Sequence, residues 1–116
     1  MQGSFLIFYV HEADRHAGRP VWEWLLDEAN RMGVRGGTAF RAMAGFGHHH
    51  VLHEARFLEL AGQLAIQVEF AVSDAQAQAL LDLVHAAQLR LSYACVPASY
   101  GIIDPDQDPP ALGRAR

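Results

Sequence analysis

Leu64-Ala65-Ile66-Gln67-Val68-Glu69-Phe70-Ala71-Val72, followed at once by Ser73-Asp74-Ala75-Gln76, decides how this chain folds. Leu64, Ile66, Val68 and Phe70 alternate with Gln67 and Glu69, the period-two pattern of a strand with one buried face. The pattern stops at Ser73, a strong helix N-cap, and Gln76 three residues on completes a capping box. A helix is expected over about Asp74 to Gln88, with Ala77, Leu80, Leu81 and Val84 as its inner stripe. A strand running directly into a capped helix is half of a βαβ unit.

Working outward, Arg90 to Val96 reads as a strand stopped by Pro97. On the N-terminal side, Gly36 to Met43 reads as another. Pro20 to about Met32 reads as a helix that opens on a proline needing no hydrogen-bond partner and closes on the left-handed stop of Gly33. Its stripe is Trp22, Leu25, Leu26, Ala29 and Met32. Asp27 and Arg31 stand four apart in the favourable order. Trp22 and Trp24 cannot both face the core, so one could mark a subunit contact. Ser4 to His11 is apolar at both parities, which predicts a central strand covered on both faces or a strand with one face against a neighbouring subunit.

The order is β-α-β-β-α-β. It implies a ferredoxin-like α+β domain, a four-stranded antiparallel sheet with two helices on one face. The other face would be a bare apolar patch of several hundred square ångströms, on the order of the largest that soluble monomers carry. Self-association is therefore expected. The domain is read as residues 1–103, and 104–116 as a proline-rich, charged tail that is mobile or docked on a partner.

Composition excludes several function classes. Among 116 residues the net charge is −4 and every basic residue is arginine, so there is neither the basic stripe of a nucleic-acid binder nor a lysine for Schiff-base or P-loop chemistry. Cys95 is the only cysteine, so an intrachain disulfide is impossible. Its apolar neighbours predict a buried, inert thiol. Phe5 to Val10 is too short for a signal-peptide core, and no stretch approaches the ~20 apolar residues of a membrane span. A cytoplasmic protein without membrane insertion is the expectation. No serine or cysteine sits beside a base and no carboxylate pair stands out, so an enzyme is not expected.

The richest stretch is Gly36-Gly37-Thr38-Ala39-Phe40-Arg41-Ala42-Met43-Ala44-Gly45-Phe46-Gly47, then His48-His49-His50-Val51-Leu52-His53. Gly45 and Gly47 fit either a tight turn ending the strand or a backbone approach to an anion such as a phosphate. Arg41, in an apolar strand, calls for a carboxylate (Glu69 is a plausible neighbour) or a bound anion. Arg56 is a second such cation. His48, His49, His50 and His53 could hold Zn²⁺, Ni²⁺ or Cu²⁺ if the segment were helical, or be an exposed polar loop. His11, Glu12, Asp14 and His16 could bind a cation but read better as a solvated loop. His85 suits the end of the second helix without any function.

Met32-Gly33, the GGTAFRAMAGFG run and the Leu52-His53-Glu54-Ala55-Arg56 segment together resemble the uncharacterised PII-like family known as domain of unknown function 190. The resemblance covers about Phe5 to Val96. It implies a PII-like ferredoxin fold, a homotrimer built through sheet faces, and kinship with regulators that bind nucleotides in clefts between subunits. It also implies that Ala44 to Leu60 is a loop reaching a transporter or other partner protein. On that reading Arg41, Gly45, Phe46, Gly47, His53 and Arg56 would bind a small anion, such as an adenine nucleotide. Many family members have a serine, an acid and a proline before the third strand. Here Leu60-Ala61-Gly62-Gln63-Leu64-Ala65 stands instead, so contacts made by those groups do not carry over. The alternative is a histidine-rich metal-binding or metal-tolerance module resembling the trimeric CutA-type proteins.

Overall fold

The computed structural model describes residues 1–46, the strand residues His53 and Glu54, and residues 64–112. In chain order the elements are β1 (Gln2–His11), β2 (Arg15–His16), β3 (Arg19–Pro20), α1 (Val21–Arg31), β4 (Gly37–Arg41), β5 (Ala44–Gly45), β6 (His53–Glu54), β7 (Ala65–Val72), α2 (Asp74–Ala86) and β8 (Ser92–Ser99). One antiparallel sheet has the order β4-β7-β1-β8, with both helices in the same layer against it. This is the expected ferredoxin-like α+β arrangement. Two minimal strand pairs, β2 with β3 and β5 with β6, are added to it.

Parity organises the core. Leu6, Phe8 and Val10 of β1 and Ile66, Val68, Phe70 and Val72 of β7 are buried with Val21, Trp24, Leu25 and Ala29 of α1 and Ala77, Leu80 and Val84 of α2. Phe8 and Phe70 meet edge to face at 6.5 Å. The capping box of α2 forms as read: the Ser73 hydroxyl accepts from the Gln76 N–H (3.1 Å), and the Gln76 side chain accepts from the Ser73 N–H (3.0 Å). Buried Ser4 donates to Asp74 at 2.8 Å, fastening β1 to the start of α2.

The opposite parity forms the second face. Phe5 lies between Ala71 and Val96, Ile7 between Glu69 and Ala94, and Tyr9 between Gln67 and Ser92. Phe40 of β4 pairs with Gln67 on the same face. Neither α1 nor α2 covers it; Tyr9, Phe40 and Val96 are exposed and Phe5 and Ile7 half-buried. Gln67 donates to Glu69 at 2.7 Å, so the two polar side chains in its middle satisfy each other.

Several local expectations are corrected. Pro20 is the N-cap of α1, not its first helical residue. Trp24, not Trp22, is the buried tryptophan, and Trp22 packs half-buried at the margin of the core. Arg31 pairs with Glu28 at 3.2 Å, while Asp27 is taken by Arg19 from outside the helix. Pro97 does not stop the last strand, which runs on to Ser99 opposite Gln2. β8 has a neighbour on one side only, where a proline is tolerated. That edge position also accounts for exposed Cys95: α2 packs mainly against β1 and β7, and β8 lies at the margin of the sheet.

Gly33 carries a positive φ of 83°, the left-handed stop read from the sequence. Gly37 has a different reason. An added Cβ would lie 2.5 Å from the Phe70 ring and 3.1 Å from Leu26, whereas one at Gly36 would meet no described atom within 4 Å. Gly37→Ala is expected to destabilise the fold by about 1–3 kcal/mol through overpacking, and Gly36→Ala to change it by less than about 0.5 kcal/mol. Urea denaturation of the two variants checks this; equal effects would contradict the packing account.

Candidate functional site

One end of the sheet gathers the chemistry. β1 ends at His11, and the chain turns sharply. The His11 N–H donates to the Asp14 carboxylate (3.0 Å), the Asp14 N–H to the His11 carbonyl (3.0 Å), and the Glu12 N–H to the Leu64 carbonyl (2.6 Å). Arg15 donates to the carbonyls of Glu12 (3.1 Å) and Asp14 (3.3 Å). The β2–β3 hairpin closes through Ala17 and Gly18, both at positive φ, as a two-residue hairpin turn of matching twist requires. The His16 ring lies on Trp24 with centroids 4.5 Å apart. Arg19 pairs with Glu23 (3.4 Å) and Asp27, and the hydrogen bond to Asp27 raises the guanidinium pKa.

His11, Glu12, Asp14 and His16 therefore build a turn and not a cation site. No group of three or more histidine, cysteine or acidic side chains among the described residues is placed to hold a metal.

Arg41 closes the end of β4. The register sets Gly37, Ala39 and Arg41 opposite Phe70, Val68 and Ile66, on the helix side of the sheet. Glu69 stands opposite Thr38 with the other parity. The expected Arg41–Glu69 pair is thus ruled out by the pleat. Arg41 bonds instead to Glu12, just beyond β1, at 2.5 Å. Their side chains are 54% and 28% exposed, so water reaches this pair. Sequence reading missed Glu12 because its proximity to Arg41 depends on which strand ends coincide.

Beyond Arg41, the Ala42 N–H donates to the Ala65 carbonyl at 2.8 Å, extending the β4–β7 ladder by one step. Ala44 and Gly45 then pair with Glu54 and His53, Gly45 directly opposite His53. Gly45 and His53 thereby pair in a short ladder at the base of the 44–60 segment, and Arg41, four residues before Gly45, ends the neighbouring β4–β7 ladder. Phe46, the next residue, is 68% exposed. Gly45 has no positive φ, and a Cβ there would meet no described atom, so neither turn geometry nor described crowding demands glycine at this position. Gly47, His48, His49, His50 and Arg56 lie outside the described residues, so of the metal reading's ligand set only His53 is described, and it is in a strand, not the helix that reading supposed.

Two hollows lie elsewhere. One of about 300 Å³ sits between the end of α1 and the start of β4, bordered by Leu26, Asn30, Arg35 and Phe70. The other, about 440 Å³, runs between α2 and β8.

A four-stranded antiparallel sheet with α1 and α2 on one side and a long connection after the second main strand define a PII-like ferredoxin fold. The chain belongs to the DUF190 family (Uncharacterized ACR), whose model matches residues 3–90. A "UPF0166 protein" of Aquifex aeolicus is 30% identical over 66 residues, 57% of this chain and 63% of that protein's length. The crystal structure of a Thermus thermophilus protein proposed to be a PII-like signaling protein superposes with a TM-score of 0.57 at 18% identity, covering 84% of this chain and 85% of that one. No helix among the described residues is long and apolar enough to cross a membrane.

A partly exposed ion pair contributes at most about 1 kcal/mol. Arg41→Ala and Glu12→Ala are each expected to lower stability by no more than that, with a similar ceiling on their coupling in a double-mutant cycle measured by urea titration. A coupling well above it would make the pair structural.

Proposed function

We propose that this protein is a non-enzymatic, PII-like regulator that binds a small anionic effector, such as an adenine nucleotide, at the sheet end carrying Arg41, Gly45 and His53. The observation that carries the reading is Arg41. Its guanidinium is half-exposed and, among the described residues, bonds one partly exposed carboxylate, Glu12, while its strand leads within four residues to the Gly45–His53 ladder. A weak surface pair of this kind exchanges readily for phosphate oxygens, which arginine grips in a bidentate fork. Gly47, Phe46 and Arg56 complete the proposed lining, and copies of the chain, as a homotrimer, form the clefts. The bare face with Phe5, Ile7, Tyr9 and Val96 supports self-association.

In this reading the 44–60 segment is the output. Effector bound at its base changes how it meets a partner protein, for instance a transporter, in the cytoplasm. A ligand can shift that equilibrium only by its differential affinity for the two loop states, and the base of the loop is where such a difference would arise.

Calorimetry with ATP, ADP and AMP should detect binding of at least one, and Arg41→Ala should weaken it about tenfold or more, as loss of a charge-assisted bond of ~1.5–3 kcal/mol requires. Glu12→Gln, which removes the competing carboxylate, should leave binding equal or tighter. Heat from none of the three nucleotides overturns the effector reading. Light scattering should give a trimer that Ile7→Asp dissociates, because a carboxylate there would be buried unpaired; a wild-type monomer at micromolar concentration overturns the assembly.

A further inference from the structure

The chain beyond β8 forms an arm. Tyr100 is fastened to Met1 by two backbone hydrogen bonds of 2.8 and 3.0 Å, and after it the arm lies exposed through Leu112. It carries Ile102 and Ile103 side by side at 81% and 78% exposure. The arm is not a random coil. Asp104 accepts from the Asp106 N–H through its carboxylate (2.9 Å) and from the Gln107 N–H through its carbonyl (3.1 Å). Pro105, Pro109 and Pro110 stiffen the rest of it. A pre-ordered segment loses little entropy on docking.

The same chain holds an apolar groove that no described residue fills. Between α2 and β8, a hollow of about 440 Å³ is walled by Phe8, Leu81, Val84, Leu89, Leu91 and Tyr93. The arm's own isoleucines do not reach it. Ile103 is four residues beyond Ser99, a reach of at most ~14 Å, whereas Tyr93 lies six residues back along extended β8, ~20 Å away. Charge also discriminates. The arm bears Asp104, Asp106 and Asp108. The groove's lining carries a single acid, Asp82, beside His85 and Gln78, and exposed Arg90 stands in the chain between the lining residues Leu89 and Leu91. The open sheet face instead presents Glu69, which would repel the arm.

We propose that the 101–112 arm of one copy docks through Ile102 and Ile103 in the α2–β8 groove of a second copy, a head-to-tail contact that closes into a ring. This rests on the self-association proposed above but not on any effector.

The test uses the full chain with Cys95→Ser, into which Ile103→Cys and Leu81→Cys are introduced in separate proteins. These are mixed, allowed to exchange subunits and oxidised. A disulfide-linked heterodimer is expected, and it should not form when Ile7→Cys, on the open face, replaces Leu81→Cys. Coupling to Ile7→Cys in preference, coupling within one chain that carries both cysteines, or no heterodimer overturns the proposal. Light scattering of the unoxidised protein is the second measurement: an oligomer without cross-link overturns the arm contact alone, and a monomer overturns self-association as well. Ile102→Asp/Ile103→Asp should weaken association about tenfold or more, as loss of two buried aliphatic anchors implies; an unchanged dissociation constant also overturns it.

Discussion

β1 is hydrogen-bonded on both edges and apolar on both faces, and the rest of the molecule is arranged around that fact. Leu6, Phe8 and Val10 must be covered by something, and α1 and α2 do so. Phe5, Ile7 and Tyr9 emerge on the other side at the same density, because alternate residues of a strand cannot share a face. Two helices are the most that two crossover connections supply, and both lie in one layer. A sheet that is greasy on two sides and roofed on one is an incomplete core until something else meets it.

Edges and ends then decide the chemistry. The outer position of β8 leaves Cys95 in solvent, admits Pro97 into a strand and opens a groove beside α2. At the far end of the sheet, the ends of β1, β4 and β7 coincide, so Glu12, Arg41 and Leu64 become neighbours although they are far apart in sequence. Register and parity choose Glu12 over Glu69 as the partner of Arg41, and the pleat makes that choice absolute. A candidate anion site and a turn that rigidifies it thus arise from one alignment of strand ends.

The elements were legible wherever a local signal was complete. The alternation of Ile66, Val68 and Phe70, the Ser73–Gln76 capping box and the Gly33 stop each encode their geometry within a few residues, and each forms as read. Legibility failed where two local solutions were equally good. Trp22 and Trp24 both suit the inner face of α1 within the tolerance of its stripe, and the β2–β3 hairpin decides between them by setting His16 against Trp24. Asp27 satisfies the spacing rule with Arg31, yet the same hairpin delivers Arg19 to it. Of the candidate site, the residue types were readable, but Gly45 opposite His53 is a consequence of the short β5–β6 ladder, which has no period long enough to see.

By itself, the sequence determined the number, the order and the buried faces of the main strands and helices, because apolar periodicity and capping are properties of neighbouring residues. It likewise determined that the two main helices would leave one sheet face to be covered by something else, which comes from counting them against apolar strand faces. Only the tertiary structure decided which carboxylate meets Arg41, which tryptophan is buried, and that Cys95 faces water. Each of these depends on the register between strands, on how a hairpin docks or on which strand lies at an edge, and none of these is written in any single segment of the chain.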